Sequence, residues 1–210
     1  MPSKPPDEPL VYLIDDDEAL RESVVTLLDV AGIAVRAFAS GPEFLVVAPS
    51  LRSGCIITDV RMPGMDGIEL QKRLREIGVV LPVLVMTGQA DVPTAIKAMK
   101  AGAVDFIEKP FTEESLLSAI RGALEADRAG SRQRAEIDAA KARLATLTPR
   151  ENEVLAELVA GRPNKVIAHD LGMSPRTVEV HRARIMTKTG AESLSGLVQM
   201  VLAARPQNAG

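Results

Sequence analysis

The sequence predicts an α/β fold, a doubly wound five-stranded parallel sheet, followed by an all-α helix-turn-helix domain. Three observations carry this. Over residues 10–125 short apolar runs alternate with amphipathic stretches, the pattern of a parallel sheet covered on both faces. Four of the five runs end in polar residues, Asp15 and Asp16, Asp59, Thr87 and Lys109, at the strand ends where open α/β sheets bind ligands. Near the carboxyl end, two helical stretches flank a four-residue turn containing Gly, and the second is basic.

The first run, Leu10–Ile14, ends in Asp15-Asp16-Asp17-Glu18. Three adjacent carboxylates repel, so they call either for a cation or for one of them to cap the helix Ala19–Val30 that follows. Gly32 ends that helix, Ile33-Ala34-Val35 reads as a weak second strand, and Ser40-Gly41-Pro42-Glu43 opens a short helix bearing Phe44 and Leu45. Cys55–Thr58 is the third strand. It stops at Asp59, and Pro63, Gly64 and Gly67 force a loop before a helix to Ile77. Pro82–Met86 is the fourth strand, ending at Thr87-Gly88. Asp91–Ala101 is a helix closed by Gly102, and Val104–Ile107 is a short fifth strand before Lys109-Pro110.

These strand ends suit phosphoryl chemistry. Two or three carboxylates with a backbone carbonyl satisfy Mg²⁺, a central carboxylate can attack phosphorus to give an acyl phosphate, and a hydroxyl and an ammonium can hold the phosphoryl oxygens. Composition narrows the alternatives. With 46% hydrophobic and 25% charged residues the chain reads as an ordinary soluble globular protein. Aromatic content of 2% and the absence of Trp argue against recognition by ring stacking. The single Cys55 excludes a disulfide framework. No run of about 18 apolar residues is present to span a membrane, and residues 1–9 lack a signal pattern, which predicts a cytoplasmic protein. Charge is uneven: residues 1–125 carry 12 Lys and Arg against 19 Asp and Glu, whereas residues 148–210 carry 8 against 6. The two parts therefore present different surfaces to different partners.

Asp15-Asp16, Asp59 with Met62-Pro63-Gly64-Met65-Asp66-Gly67, Thr87-Gly88, Ala101-Gly102-Ala103 and Lys109-Pro110-Phe111 resemble the receiver domain of two-component response regulators. The resemblance implies strand order 2-1-3-4-5, with Asp59 as phospho-acceptor. It implies a Mg²⁺ site of Asp15, Asp16, Asp59 and the Arg61 carbonyl, phosphoryl contacts from Thr87 and Lys109, and Phe106 as the aromatic switch residue. Phe106 has no hydroxyl, so burial alone reports its state. A cis bond before Pro110 is implied as well. Dimerisation through the helix near Asp91–Ala101 and the fifth strand follows by the same likeness, with Val92, Ile96, Lys97 and Lys100 at the interface.

Glu113 to Leu147 reads as a last receiver helix whose apolar stripe is interrupted at Ala129-Gly130-Ser131-Arg132-Gln133-Arg134. A partly flexible helical spacer and a coiled-coil seam both remain open there. Thr148-Pro149-Arg150-Glu151 is a helix start with a capping box. Helices over Asn164–Leu171 and from Ser174-Pro175 to about Lys188 complete the helix-turn-helix, which suits a major groove. Leu147 through Gly161, Asn164-Lys165-Val166-Ile167-Ala168, Ser174 through His181 and Ile185-Met186-Thr187-Lys188 resemble the four-helix LuxR-type DNA-binding domain. With the receiver ahead of it, the chain is similar to the FixJ/NarL class, nearest its FixJ branch. That implies phosphate contacts from Lys165, Thr177, His181 and Lys188, and base contacts from Val178, Glu179 and Arg182. Pro163 replaces an expected capping residue and puts entry into the next helix in question. Glu179 stands where many relatives carry Lys, so it shifts base preference toward cytosine.

The expected organisation is a disordered terminus over 1–9, receiver 10–125, helical linker 126–143, DNA-binding domain 144–205 and tail 206–210. The resemblance implies a transcriptional activator phosphorylated by a sensor histidine kinase, dimerising on phosphorylation and working on promoter DNA with RNA polymerase. It further implies control of nitrogen-fixation or microaerobic genes, and no enzymatic turnover beyond slow self-phosphorylation and dephosphorylation. Two alternatives compete. One is a Mg²⁺-dependent phosphatase or phosphotransferase of haloacid dehalogenase type using Asp15 and Asp17, although Ala19 stands where that motif wants Thr or Val. The other is a phosphorylation-independent transcription factor with a silent receiver.

Overall fold

The computed structural model describes residues 10–88 and 92–204. The expectations for 1–9, Asp91 and 206–210 lie outside the described residues. The chain divides into two compact units, Met1–Ser131 and Arg132–Gly210.

In the first unit, five parallel strands, β1 (Val11–Ile14), β2 (Val35–Phe38), β3 (Cys55–Asp59), β4 (Val83–Thr87) and β5 (Asp105–Glu108), take the order β2-β1-β3-β4-β5. The connecting helices are α1 (Glu18–Val30), α2 (Gly41–Val47), α3 (Gly67–Glu76), α4 (Val92–Lys100) and α5 (Glu113–Leu144). Alternate strand residues feed opposite cores. Tyr12, Ile14, Ile56, Val83 and Val85 pack with Phe38, Phe44, Leu70, Leu74 and Ala98, while Val11, Leu13, Ile57, Leu84 and Met86 pack with Val24, Leu28, Leu116 and Ile120. Period-2 alternation on strands buried from both sides gives a layer on each face.

One element differs from expectation. The second strand is Val35–Phe38 and not Ile33–Val35. Gly32, at φ 70°, closes α1, and the Ile33 N–H donates back to Leu28 O at 2.8 Å, so Ile33 ends the helix and does not begin the strand. Pairing then starts at Val11↔Val35 and ends with Phe38 in the core, its ring 5.1 Å from that of Phe44. Where the apolar stripe is interrupted at 129–134 the backbone stays helical, inside the 32 residues of α5. The segment holds no Pro, and a single Gly130 among good helix formers costs only about 1 kcal/mol.

The second unit contains the end of α5, then α6 (Pro149–Val159), α7 (Asn164–Asp170), α8 (Pro175–Thr189) and α9 (Leu194–Ala204). Its core is Leu147, Val154, Leu155, Leu158, Ile167, Val178, Ile185 and Leu197. Thr148 and Glu151 form the full capping box, and Ser174 caps α8. Pro163 does not block α7: it takes the cap position without a side-chain bond, and its carbonyl accepts from Val166 at 2.9 Å and Ile167 at 3.1 Å. Among the described residues, no helix is long and apolar enough to cross a membrane.

Candidate functional site

Strand register builds the site. β1 and β3 align Ile14↔Thr58, so Asp15 and Asp59, one step beyond, emerge side by side at the carboxyl edge where strand order reverses. Thr87 ends β4 and Lys109 follows β5. Asp15, Asp59 and Thr87 are all buried. The Lys109 ammonium lies 2.7 Å from Asp15 Oδ2 and 2.7 Å from Asp59 Oδ1. Two buried carboxylates repel, and a bridging cation offsets that cost. Burial pushes the Asp15 carboxyl above its ordinary value, against the lowering pull of Lys109 and of the Asp17 N–H. Burial works to lower Lys109, but its bonds to both carboxylates outweigh it and hold the ammonium's pKa above its usual range.

Asp59 is held from the backbone side as well. The Arg61 N–H donates to its Oδ2 at 2.8 Å. The start of α3 presses against the end of its strand: the Gly67 N–H donates to Val60 O at 3.0 Å, and a Cβ on Gly67 would lie 2.3 Å from the Asp59 carbonyl oxygen. Only Gly fits there. Thr87 Oγ1 donates to Gly88 O at 3.4 Å, the Lys109 N–H donates to Thr87 O at 2.7 Å, and the Lys109-Pro110 bond is cis. Phe106 is 44% exposed, the outward setting of a residue whose burial was expected to report its state.

The three carboxylates after β1 divide their roles. Asp15 faces Lys109, while Asp17 caps α1 by accepting from the Leu20 N–H at 3.2 Å. Asp16 is exposed and has no hydrogen-bond or ion-pair partner among the described residues. Among the described residues, no three His, Cys, Asp or Glu side chains form a group ready to hold a metal ion. The expected carboxylate trio is thus a Lys-bridged pair with a free third member. Its donors are nevertheless the hard oxygens that Mg²⁺ takes, from Asp15, Asp16, Asp59 and the Arg61 carbonyl.

In the second unit, the expected nucleic-acid contacts fall on α7 and α8. Lys165, Thr177 and Glu179 are exposed, and His181 and Arg182 are half-buried. Val178 is a correction: it is fully buried in the core and cannot reach a base edge. Helical phase explains it, because Val178 and Ile185 are seven residues apart and share the inward face. Val180 is 44% exposed and is the apolar residue that α8 offers outward. Lys188 is exposed, and its ammonium lies 2.7 Å from Glu151 Oε2 and 3.4 Å from Thr146 O, so it is paired within the unit. Glu151 is held down to about 2 by that bond, with help from the Thr148 N–H. Arg182 donates to Asn164 Oδ1 at 2.6 Å.

The family described as response regulator receiver domain matches residues 11–121, and bacterial regulatory proteins of the luxR family match residues 145–201. The chain is 47% identical over 194 residues to the transcriptional regulatory protein FixJ of Bradyrhizobium diazoefficiens, covering 92% of this chain and 95% of that one. It is 50% identical over 194 residues to FixJ of Azorhizobium caulinodans, covering 92% of each. Among solved structures it is similar to the response regulator StyR, with 40% identity and a TM-score of 0.81 over 93% of this chain and 98% of that one.

Proposed function

Because the chain belongs to the FixJ-like two-component response regulators, transcription regulators that join a receiver to a LuxR-type DNA-binding domain, we propose that Asp59 is its phospho-acceptor and that a sensor histidine kinase is the donor. The observation that carries this is the convergence of Asp15, Asp59, Thr87 and Lys109 from four strand ends, with Asp59 buried yet bridged to a cation. An Asp59 carboxylate oxygen attacks phosphorus, the bond to the donor's imidazole nitrogen breaks, and an acyl phosphate results. Lys109 then turns from the carboxylates to a phosphoryl oxygen, and the Thr87 hydroxyl donates to another. Asp15, Asp16, Asp59 and the Arg61 carbonyl would hold Mg²⁺. When bound, that ion neutralises phosphoryl charge.

The dimer surface proposed for the phosphorylated receiver uses Val92, Ile96, Lys97 and Lys100 of α4 together with β5. Ile96 is 50% exposed, Val104 and Phe106 are each 44% exposed, and Lys97 and Lys100 are exposed beside them. In the DNA-binding unit, Lys165, Thr177 and His181 are assigned to phosphates, and Glu179, Val180 and Arg182 to base edges. The protein acts in the cytoplasm, on promoter DNA and with RNA polymerase.

Light scattering with Mg²⁺ and beryllofluoride, an acyl-phosphate mimic, tests the switch. Wild type is expected to pass from monomer to dimer, and Asp59→Asn to stay monomeric. Dimerisation of Asp59→Asn under the same conditions would remove Asp59 from the role.

A further inference from the structure

We propose that Asn164 is a positioning residue for base recognition, holding the Arg182 guanidinium apart from Glu179 so that α8 presents a free donor and a free acceptor one turn apart. This rests on the reading of α8 as the helix that enters the major groove. Arg182 Nη1 donates to Asn164 Oδ1 at 2.6 Å, a bond that crosses from α8 to the first residue of α7. Both residues are half-buried. Glu179 stands three residues before Arg182, a spacing at which helical side chains meet. The same spacing makes ion pairs elsewhere in this chain, Glu69 with Lys72 at 3.8 Å and Arg73 with Glu76 at 3.4 Å. Glu179 and Arg182 make none among the described residues.

The choice of partner matters chemically. Other cations of this unit are neutralised by carboxylates: Lys188 by Glu151, and Arg162 by Glu157 and Asp170. An amide oxygen orients Arg182 without cancelling its charge. One of its five N–H donors is used, and the remainder of the fork has no protein acceptor among the described residues. Guanidinium pairs bidentately with guanine O6 and N7, and a carboxylate accepts from cytosine N4. Were Arg182 to fold onto Glu179, both groups would be lost to the bases at once. The ligand this arrangement fits is a duplex half-site with guanine and cytosine at neighbouring steps.

The test uses the full chain, activated with Mg²⁺ and beryllofluoride. Duplexes are selected from a random pool by wild type, and affinities for the selected duplex and a scrambled one are compared. Asn164→Ala is expected to weaken the selected duplex about tenfold and leave the scrambled one unchanged. In an Arg182→Ala background, the same change is expected to add less than about twofold, the behaviour of residues acting as one unit. Asn164→Asp keeps the side chain's shape but neutralises Arg182. It is expected to melt like wild type and to lose selectivity for the selected duplex. Full additivity of Asn164→Ala with Arg182→Ala, or unchanged selectivity in both Asn164 variants, would overturn the proposal. A wild-type chain that enriches no sequence would overturn the groove-reading premise and the proposal with it.

Discussion

At the scale of single residues, the receiver site depends as much on a missing side chain as on charged ones. Asp59 can stand where it does because Gly67 lets the start of α3 approach the Asp59 carbonyl. Gly67→Ala places a Cβ against fixed backbone. It is expected to cost about 2 kcal/mol or more, the range of overpacked positions, and to slow phosphoryl uptake by displacing Asp59. Urea denaturation and labelling with a small phosphodonor check both; an unchanged midpoint would show that the backbone yields freely. Much of this site was legible in the sequence, because Asp15, Asp59, Thr87 and Lys109 each end or follow an apolar run, and parallel strands deliver their ends to one edge. The readout residues were less so. Val178 is turned inward by its helical phase, and its seven-residue spacing to Ile185 carries that signal in the sequence. The pairing of Lys188 was not legible, because Glu151 lies 37 residues away and only tertiary packing joins them.

At the scale of elements, the first helix of the DNA-binding unit carries an acid-sensitive fastening. Glu151 accepts from the Thr148 N–H at 2.8 Å and from Lys188, and it is held down to about 2 in the folded chain, against 4.5 ordinarily. A carboxyl depressed on folding adds stability that is fully present above its unfolded value and is lost as pH falls through the folded one. The second unit is therefore expected to hold this contribution above about pH 4.5 and to lose it between there and about pH 2. Lys188→Met should shrink that acid-dependent loss, as read by helical circular dichroism against pH. An identical acid profile in the variant would mean that the ion pair does not set it. Helix starts such as Thr148-Pro149-Arg150-Glu151 were legible because caps are local chemistry. The edge strand β2 was not, since its residues are half-exposed and the apolar residue before it belongs to a helix end. A helical course was the expectation for the linker, and α5 runs on through Gly130 because the surrounding helix formers outweigh it.

At the scale of the whole molecule, the two units have separate hydrophobic cores with no residue in common. Local damage should therefore stay local. At the amino edge of the sheet, buried Asp127 of α5 accepts from the Gly54 N–H at 3.0 Å, and Gly54, at φ 119°, leaves no room for a side chain against Leu10 O. Asp127→Ala strands that buried N–H, which costs about 1–3 kcal/mol. Its expected signature in a thermal scan is a lowered transition for the first unit with that of the second unmoved; a matching fall in both would deny their independence. The first part of the chain is acidic, with 19 carboxylates against 12 Lys and Arg, and at the centre of its site it already carries a cation of its own. Viewed as an ion exchanger, the pocket arrives loaded with its own tethered counter-ion, the Lys109 ammonium between Asp15 and Asp59. A divalent cation entering that pocket would have to compete with a charge tethered to the same chain.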